Sequence, residues 1–284
     1  MNNEKKNVAL ISVFAAIFLS VFKLVIGLLT GSLGILSEAL HSILDLFAAV
    51  ITYFSVRISD KPADSDHNFG HGKVENLSAF LETILLFITC IWIIYEAIKR
   101  LTTGETHIEV TVWSYIVVIS SIIINIWRTR ILRITAKKYN SQALEADALH
   151  FSSDIWSSAV VLLGLICADF GYYVADTIAA LGVSIIILYA TYQLGKRSIE
   201  VLLDTAPRST YDKVESVIKR IKELKNYHDI KIRTSGADTF VEVNIHVDPE
   251  LSIQKAHEIS HKVEEEILKI VDRCEIHIHT EPDE

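Results

Sequence analysis

Six stretches of the chain are long and apolar enough to cross a bilayer, which takes about 20 helical residues. They are Val8–Leu29, Leu33–Val56, Leu77–Ile98, Val112–Ile134, Ala143–Ala168 and Tyr172–Leu194. The Thr30-Gly31-Ser32 link predicts an antiparallel hairpin of the first two. Val8–Leu29 follows Lys5 and Lys6 as a secretory signal would. It is long enough to span, lacks a small-x-small cleavage site and leads into further spans, so it reads as a retained first helix. After Leu203 the period changes. Asp212–Leu224 places Val214, Val217, Ile218 and Ile221 on one helical face, and Ser252–Val271 does so with Ala256, Val263 and Ile267. Phe240–Val247 and Glu275–Thr280 alternate as strands do, and Ile230–Thr234 adds a third strand. The order αββαβ predicts an open-faced sheet with both helices on one side. The fold expected is therefore an all-α six-helix transmembrane domain over residues 1–204 and a soluble α+β domain over residues 205–284.

Two of the apolar stretches carry the same polar stripe. Glu38, His41 and Asp45 have the spacing of Asp147, His150 and Asp154. Offsets of three and seven on a helix fall on one face. Ionisable groups at membrane depth are costly and generally functional. The alternative, a hydrogen-bonded seam between helices, is weaker because the pattern occurs twice. Facing each other, His41, Asp45, His150 and Asp154 would offer two nitrogens and two oxygens, the tetrahedral mixture that suits Zn2+. Glu38 and Asp147, flanking that set, are candidate proton-relay groups or cavity-rim carboxylates. Elsewhere in the spans, Lys23 is expected to pair with a carboxylate or face a wet cavity, and Asn125 to hydrogen-bond across helices. Gly27, Ala48, Ala49, Ser157, Ser158 and Gly182 would allow close helix approach.

Basic residues orient the spans. Lys5 and Lys6; Arg57, Lys61 and Lys73; Arg128, Arg130, Arg133, Lys137 and Lys138; and Lys196 and Arg197 all fall on one side, with Lys99 and Arg100 the exception. By the positive-inside rule both termini are cytoplasmic. The second and fifth spans are then antiparallel, which puts His41 level with Asp154 and Asp45 level with His150.

Composition narrows the partners. The chain is 50% hydrophobic with a mean hydropathy of +0.34. Its net charge of −8 gives nucleic-acid binding no electrostatic support. Cys90, Cys167 and Cys274 are too scattered for a disulfide framework. In the loop from Asp60 to Lys73, Pro62, Gly70 and Gly72 oppose a regular helix, and Asp64, His67 and His71 can either converge on a metal or form a solvated polar loop. The tail holds His228, His246, His257, His261, His277 and His279, which are open to metal or merely exposed. No span carries His-Glu-x-x-His or a nucleophile paired with histidine, so an intramembrane hydrolase is disfavoured and the chain reads as a non-enzyme.

The paired intramembrane motifs, the loop Pro62–Lys73 with Phe69-Gly-His-Gly-Lys73, the Leu202-Leu203-Asp204 step and the αββαβ tail resemble the cation diffusion facilitator family, most closely its bacterial ferrous-iron/zinc efflux branch. The resemblance covers nearly the whole chain. It implies a homodimer in the bacterial inner membrane that exports divalent cations in exchange for protons. His41, Asp45, His150 and Asp154 match the family's transport site, and Asp64, His67 and His71 its loop site. His228, His246, His257 and His279 match positions of the cytoplasmic dimetal site of a metallochaperone-like tail, whose metals bridge the subunits. Glu281 stands where the family often has Asp. Lys73 and Asp204 match a charged pair near the dimer interface. His41 departs from the Asp common in that branch and points to zinc over iron or cadmium.

Overall fold

A computed structural model describes residues 3–30, 33–103, 112–169 and 173–283. They form two compact units, Met1–Lys61 with Val74–Ser198, and Pro62–Lys73 with Ile199–Glu284. The loop with the Asp64, His67 and His71 motif thus belongs to the same unit as the soluble tail.

The first unit is built on six long helices: α1 (Asn3–Thr30), α2 (Leu33–Ser59), α3 (Lys73–Thr103), α4 (Val112–Tyr139), α5 (Gln142–Asp169) and α6 (Tyr173–Leu202). Among the described residues α1, α2, α3 and α4 are long and apolar enough to cross a membrane by length and composition. Residues 31–32 of the expected hairpin turn lie outside the described residues, as does the side chain of Cys167. Cys90 and Cys274 are free thiols.

Small side chains set the helix packing. Ala9, Ala16, Ala49, Ala143 and Ala148 are buried among Leu132, Leu144 and Phe151, and bring α1, α2, α4 and α5 together. Ala79, Ala146 and Leu194 join α3, α5 and α6. A Cβ at Gly27 would lie 2.8 Å from Leu36 Cδ2, so α1 meets α2 there only because the side chain is missing. Gly182 differs from expectation: a Cβ there would meet nothing within 4 Å among the described residues.

Near the amino end of α1, Lys5 donates to Glu75 Oε1 at 2.6 Å and lies 2.7 Å from Asp60 Oδ1. Ser59 and Ser141 also donate to Glu75. A buried carboxylate with this many donors fastens α1, α2, α3 and the α4–α5 corner. Lys23 pairs with Glu38 at 3.0 Å.

Arg128 requires a correction. Counted with the basic loop residues, it instead lies within α4 and is 2% exposed, whereas Arg130, Arg133, Lys137 and Lys138 on the same helix are exposed. The reason is a set of internal partners. Its Nε donates to Ser12 Oγ at 2.7 Å, Ser12 donates in turn to Asp147 Oδ2 at 2.8 Å, and its guanidinium lies over the Phe151 ring at 3.2 Å.

In the second unit the order is α7 (Arg208–Ile218), β1 (Asn226–Ser235), β2 (Asp238–Val247), α8 (Ile253–Leu268) and β3 (Cys274–Pro282). The sheet order is β1-β2-β3, with β1 antiparallel and β3 parallel to β2. The Ser252 hydroxyl caps α8 by accepting from Lys255 N–H. Alternation on β2 sends Val241, Val243 and Ile245 into a core with Val214, Ile218, Val263 and Ile267, with Val247 also buried, so both helices cover one face. The β1–β2 turn uses Gly236 at φ +60°. Gly72 in the loop meets this turn so closely that a Cβ would clash with the Ser235 carbonyl. Beside it Phe69 packs edge-on to Phe240 at 5.3 Å between ring centroids, with Arg233 over the Phe69 ring at 3.8 Å. Lys73 Nζ donates to Asp204 Oδ1 at 2.8 Å.

Candidate metal centres

α2 and α5 pack with their polar stripes facing. His150 Nε2 lies 3.0 Å from Asp45 Oδ1, and His41 Nε2 lies 3.6 Å from Asp154 Oδ1. These are the cross-helix pairs that antiparallel helices with equal motif spacing give. His41 Nε2 is also 3.8 Å from Asp45 Oδ1, so all four residues form one cluster. Asp45 and His150 are buried, and His41 is the more open, with 37% of its side chain exposed. His150 Nδ1 and Asp154 Oδ2 are buried without a protein hydrogen-bond partner. The His150 ring stands edge-on to Phe151, the residue under Arg128. His41, Asp45 and Asp154 offer ligand atoms within 4.8 Å of one another, close enough to share one ion.

The flanking acids part company. Asp147 is fully buried and bonded to Ser12, with Oδ1 unpartnered. Glu38 is bound to Lys23 and partly exposed. Asn125 is buried in α4 with its Oδ1 unpartnered, so the expected bond across helices through that oxygen is not made.

In the loop, Asp64, His67 and His71 also offer atoms within 4.8 Å of one another. Asp64 Oδ1 accepts from the backbone N–H groups of His67 and Asp66, and lies 3.2 Å from His67 Nδ1. The His67 backbone N–H chiefly, joined by that of Asp66 and the His67 side chain, holds the Asp64 carboxyl below the usual carboxylate range. It is therefore ionised at neutral pH, as a metal ligand must be.

In the tail, His228, His246 and Glu281 gather on the sheet face away from the helices. His246 Nε2 is 3.1 Å from His228 Nδ1 and 3.4 Å from Glu281 Oε2, and His279 Nε2 is 3.3 Å from Glu281 Oε1. Glutamate thus reaches both neighbouring histidines. His257 is not in this cluster. It lies on α8, its ring 4.5 Å from that of His261. The sheet separates the two, because α8 packs on the apolar face while the cluster uses the polar one. His277 pairs in register with Glu242 on β2.

Among the buried charged groups that the chain's pattern did not single out are Glu75, Arg128 and Glu82 of α3, whose Oε1 accepts from Thr52 and Ser78 and whose Oε2 has no partner. An acid in the middle of the third apolar run was the available signal for Glu82.

The chain is similar to known proteins along most of its length. The model of the cation efflux transmembrane domain matches residues 9–203, and that of the cation efflux protein cytoplasmic domain matches residues 206–283. The chain belongs to the cation diffusion facilitator family. It is a cation-efflux transporter and not an enzyme. A transporter of Methanocaldococcus jannaschii is 32% identical over 278 residues, covering 97% of this chain and 98% of that one. The cation-efflux pump FieF of Cronobacter sakazakii is 29% identical over 275 residues, covering 96% and 91%, and FieF of Citrobacter koseri is 30% identical over 254 residues, covering 89% and 84%. The metal-bound C-terminal domain of the CzcD transporter from Thermotoga maritima is 37% identical, covering 26% of this transporter and 88% of that chain, with a TM-score of 0.26.

Proposed function

We propose that this transporter exports zinc from the cytoplasm in exchange for protons, with His41, Asp45, His150 and Asp154 as the transport site. The observation that carries the reading is the convergence of two imidazoles and two carboxylates in the cleft between α2 and α5. Nitrogen and oxygen donors in equal number suit zinc, whereas manganese and iron usually take more ligands and calcium takes oxygen alone. Two carboxylates cancel the charge of one dication. The same lone pairs bind protons when the ion has left, so arrival of one displaces the other. Exchange then follows from competition at one site, driven by the proton gradient across a bacterial inner membrane, with both termini cytoplasmic. Asp147 and Glu38 serve as relay groups beside it. Efflux of iron, manganese, cadmium or cobalt by the same route is the second reading.

The test is metal flux in proteoliposomes under an imposed pH gradient, comparing zinc with cadmium, iron and manganese. Zinc should move fastest and its rate should follow the gradient. Flux indifferent to pH would refute exchange, and a preference for iron would refute the zinc assignment.

The protein works as a homodimer, with Lys73 and Asp204 near the subunit contact. Asp64, His67 and His71 bind a second ion, and His228, His246, His279 and Glu281 a third, with His257 supplied to it by the other subunit. The last assignment is supported by the separation of His257 from the cluster within one chain. Metal in the tail would draw two tails together and bias the spans, which is thermodynamic linkage. His246→Ala is expected to lower transport roughly five-fold or more at limiting metal, the usual size of such coupling, and to leave saturating rates near wild type. Equal rates at every metal concentration would remove the regulatory role.

A further inference from the structure

One buried carboxylate takes no part in the proposed site and still stands in its electrostatic reach. Glu82 comes from the middle of α3 and is 2% exposed. Its Oε1 accepts from Thr52 of α2 and Ser78 of α3, while Oε2 is buried with no partner. Thr52 lies seven residues, or about 10 Å, along α2 from Asp45, toward the Ser59 end. Asp147 lies three residues, or about 4.5 Å, along α5 from His150, toward the Gln142 end. The helices are antiparallel, so both displacements run the same way. Glu82 and Asp147 therefore sit on one side of the metal ligands, toward the end of the bundle where α3 begins.

The strongest charged influences on Glu82 are Asp147 and His150 from α5, and Arg128 of α4 responds to it in turn; the α2 residue that bonds its carboxylate is the uncharged Thr52. Arg128 is committed elsewhere, through Ser12 to Asp147 and over Phe151. Glu82 thus has two hydroxyl donors on one oxygen and no cation of its own. An ionised carboxyl in such a place is far costlier to bury than the neutral acid. A dication arriving at the nearby ligands reverses that balance, because its field favours the ionised form.

We propose that Glu82 is a proton-binding site of the exchange, which carries one proton while the metal ligands are empty and gives it up when a dication binds at His41, Asp45, His150 and Asp154. In that step the Oε2–H bond breaks, the electron pair remains on Oε2, and the proton is released to bulk water. Nothing is oxidised or reduced. Metal release reverses the step and reprotonates Oε2. The proposal rests on the proton-exchange reading above and adds a residue outside the ligand set to it.

The test counts protons released on zinc binding by the purified full-length protein in detergent, in weakly buffered solution with a pH indicator. The background carries His67→Ala and His246→Ala, so that the loop and tail clusters contribute nothing. Glu82→Gln should still bind zinc in the same ratio and release about one proton fewer per ion. Glu82→Asp should restore the count. Thr52→Val, which removes a donor from Oε1 and leaves the carboxyl in place, should move the release to higher pH; it also serves if Glu82→Gln fails to fold. A Glu82→Gln protein that releases as many protons as its parent, or a Thr52→Val protein with an unmoved profile, overturns the proposal. A parent that binds zinc with no proton release at all sinks the exchange reading itself, so the two failures are distinguishable.

Discussion

Asp45→Ala should lower zinc flux at least ~100-fold, since losing even an outer partner of a metal ligand costs 10–100-fold. The large effect comes from position. Asp45 Oδ1 reaches both imidazoles, 3.0 Å from His150 Nε2 and 3.8 Å from His41 Nε2. Removing it takes away one ligand, half of the negative charge that balances a dication, and the partner that orients His150. Asp45→Asn separates these terms. It keeps the shape and can still hydrogen-bond to His150, yet it lacks the charge, so it should fail nearly as badly in flux while the protein stays as stable as wild type. Flux in proteoliposomes together with thermal unfolding reads both quantities. An Asp45→Asn protein that transports at more than a tenth of the wild-type rate would show that the carboxylate charge is not what the site needs.

Arg128→Met is the substitution with the largest expected cost to stability. The guanidinium is almost wholly enclosed, linked through Ser12 to Asp147 and stacked on Phe151. Methionine fills much of the same space and lies acceptably on an aromatic ring. What disappears is the positive charge, and breaking a buried ionic arrangement by removing one member costs about 3–5 kcal/mol. Asp147 is then buried with no cation close by. The double variant Arg128→Met with Asp147→Asn should recover a substantial part of the loss, because the stranded charge goes too. Thermal unfolding in detergent measures the cycle. Single and double variants of equal stability would show that Arg128 does not act through Asp147. Phe151 also stands against His150, so the single variant should weaken zinc binding as well.

The tail is the part most readily read from the chain. Its strands alternate and its helices show apolar positions at helical spacing, so the αββαβ order follows from local periodicity. The structure lengthens the strands to β1 (Asn226–Ser235) and β3 (Cys274–Pro282), because their ends are held by pairing to β2, a non-local interaction. The first helix ends at Ile218, earlier than its apolar pattern, which continues to Ile221 in the core without needing helical backbone there. In the cluster between α2 and α5, the repeated acid-x-x-His-x-x-x-Asp spacing made the four residues visible, and antiparallel helices then gave the pairs Asp45–His150 and His41–Asp154.

Arg128 and Glu82 show why the remainder was hidden. In a one-dimensional reading, an arginine near the end of an apolar run is indistinguishable from the loop charges that follow it. Its burial depends on Ser12, Asp147 and Phe151, brought from α1 and α5. The enclosure of Glu82 is not legible along the chain because its partner Thr52 belongs to another helix. The loop motif was legible as a possible ligand set, while its membership of the tail's compact unit depends on the absence of a side chain at Gly72, where the backbone of Ser235 comes too close to admit one.

By itself the sequence determined the long apolar helices, the element order of the tail, the four residues between α2 and α5 and the three in the loop, because periodicity and spacing along a helix or strand are properties of neighbours in the chain. Only the tertiary structure decided that Arg128 is internal, that Glu82 is enclosed between Thr52 and Ser78, and that His257 sits across the sheet from His228, His246 and Glu281. Those facts depend on which faces of separate elements meet, and burial and charge are set there by partners remote in the chain.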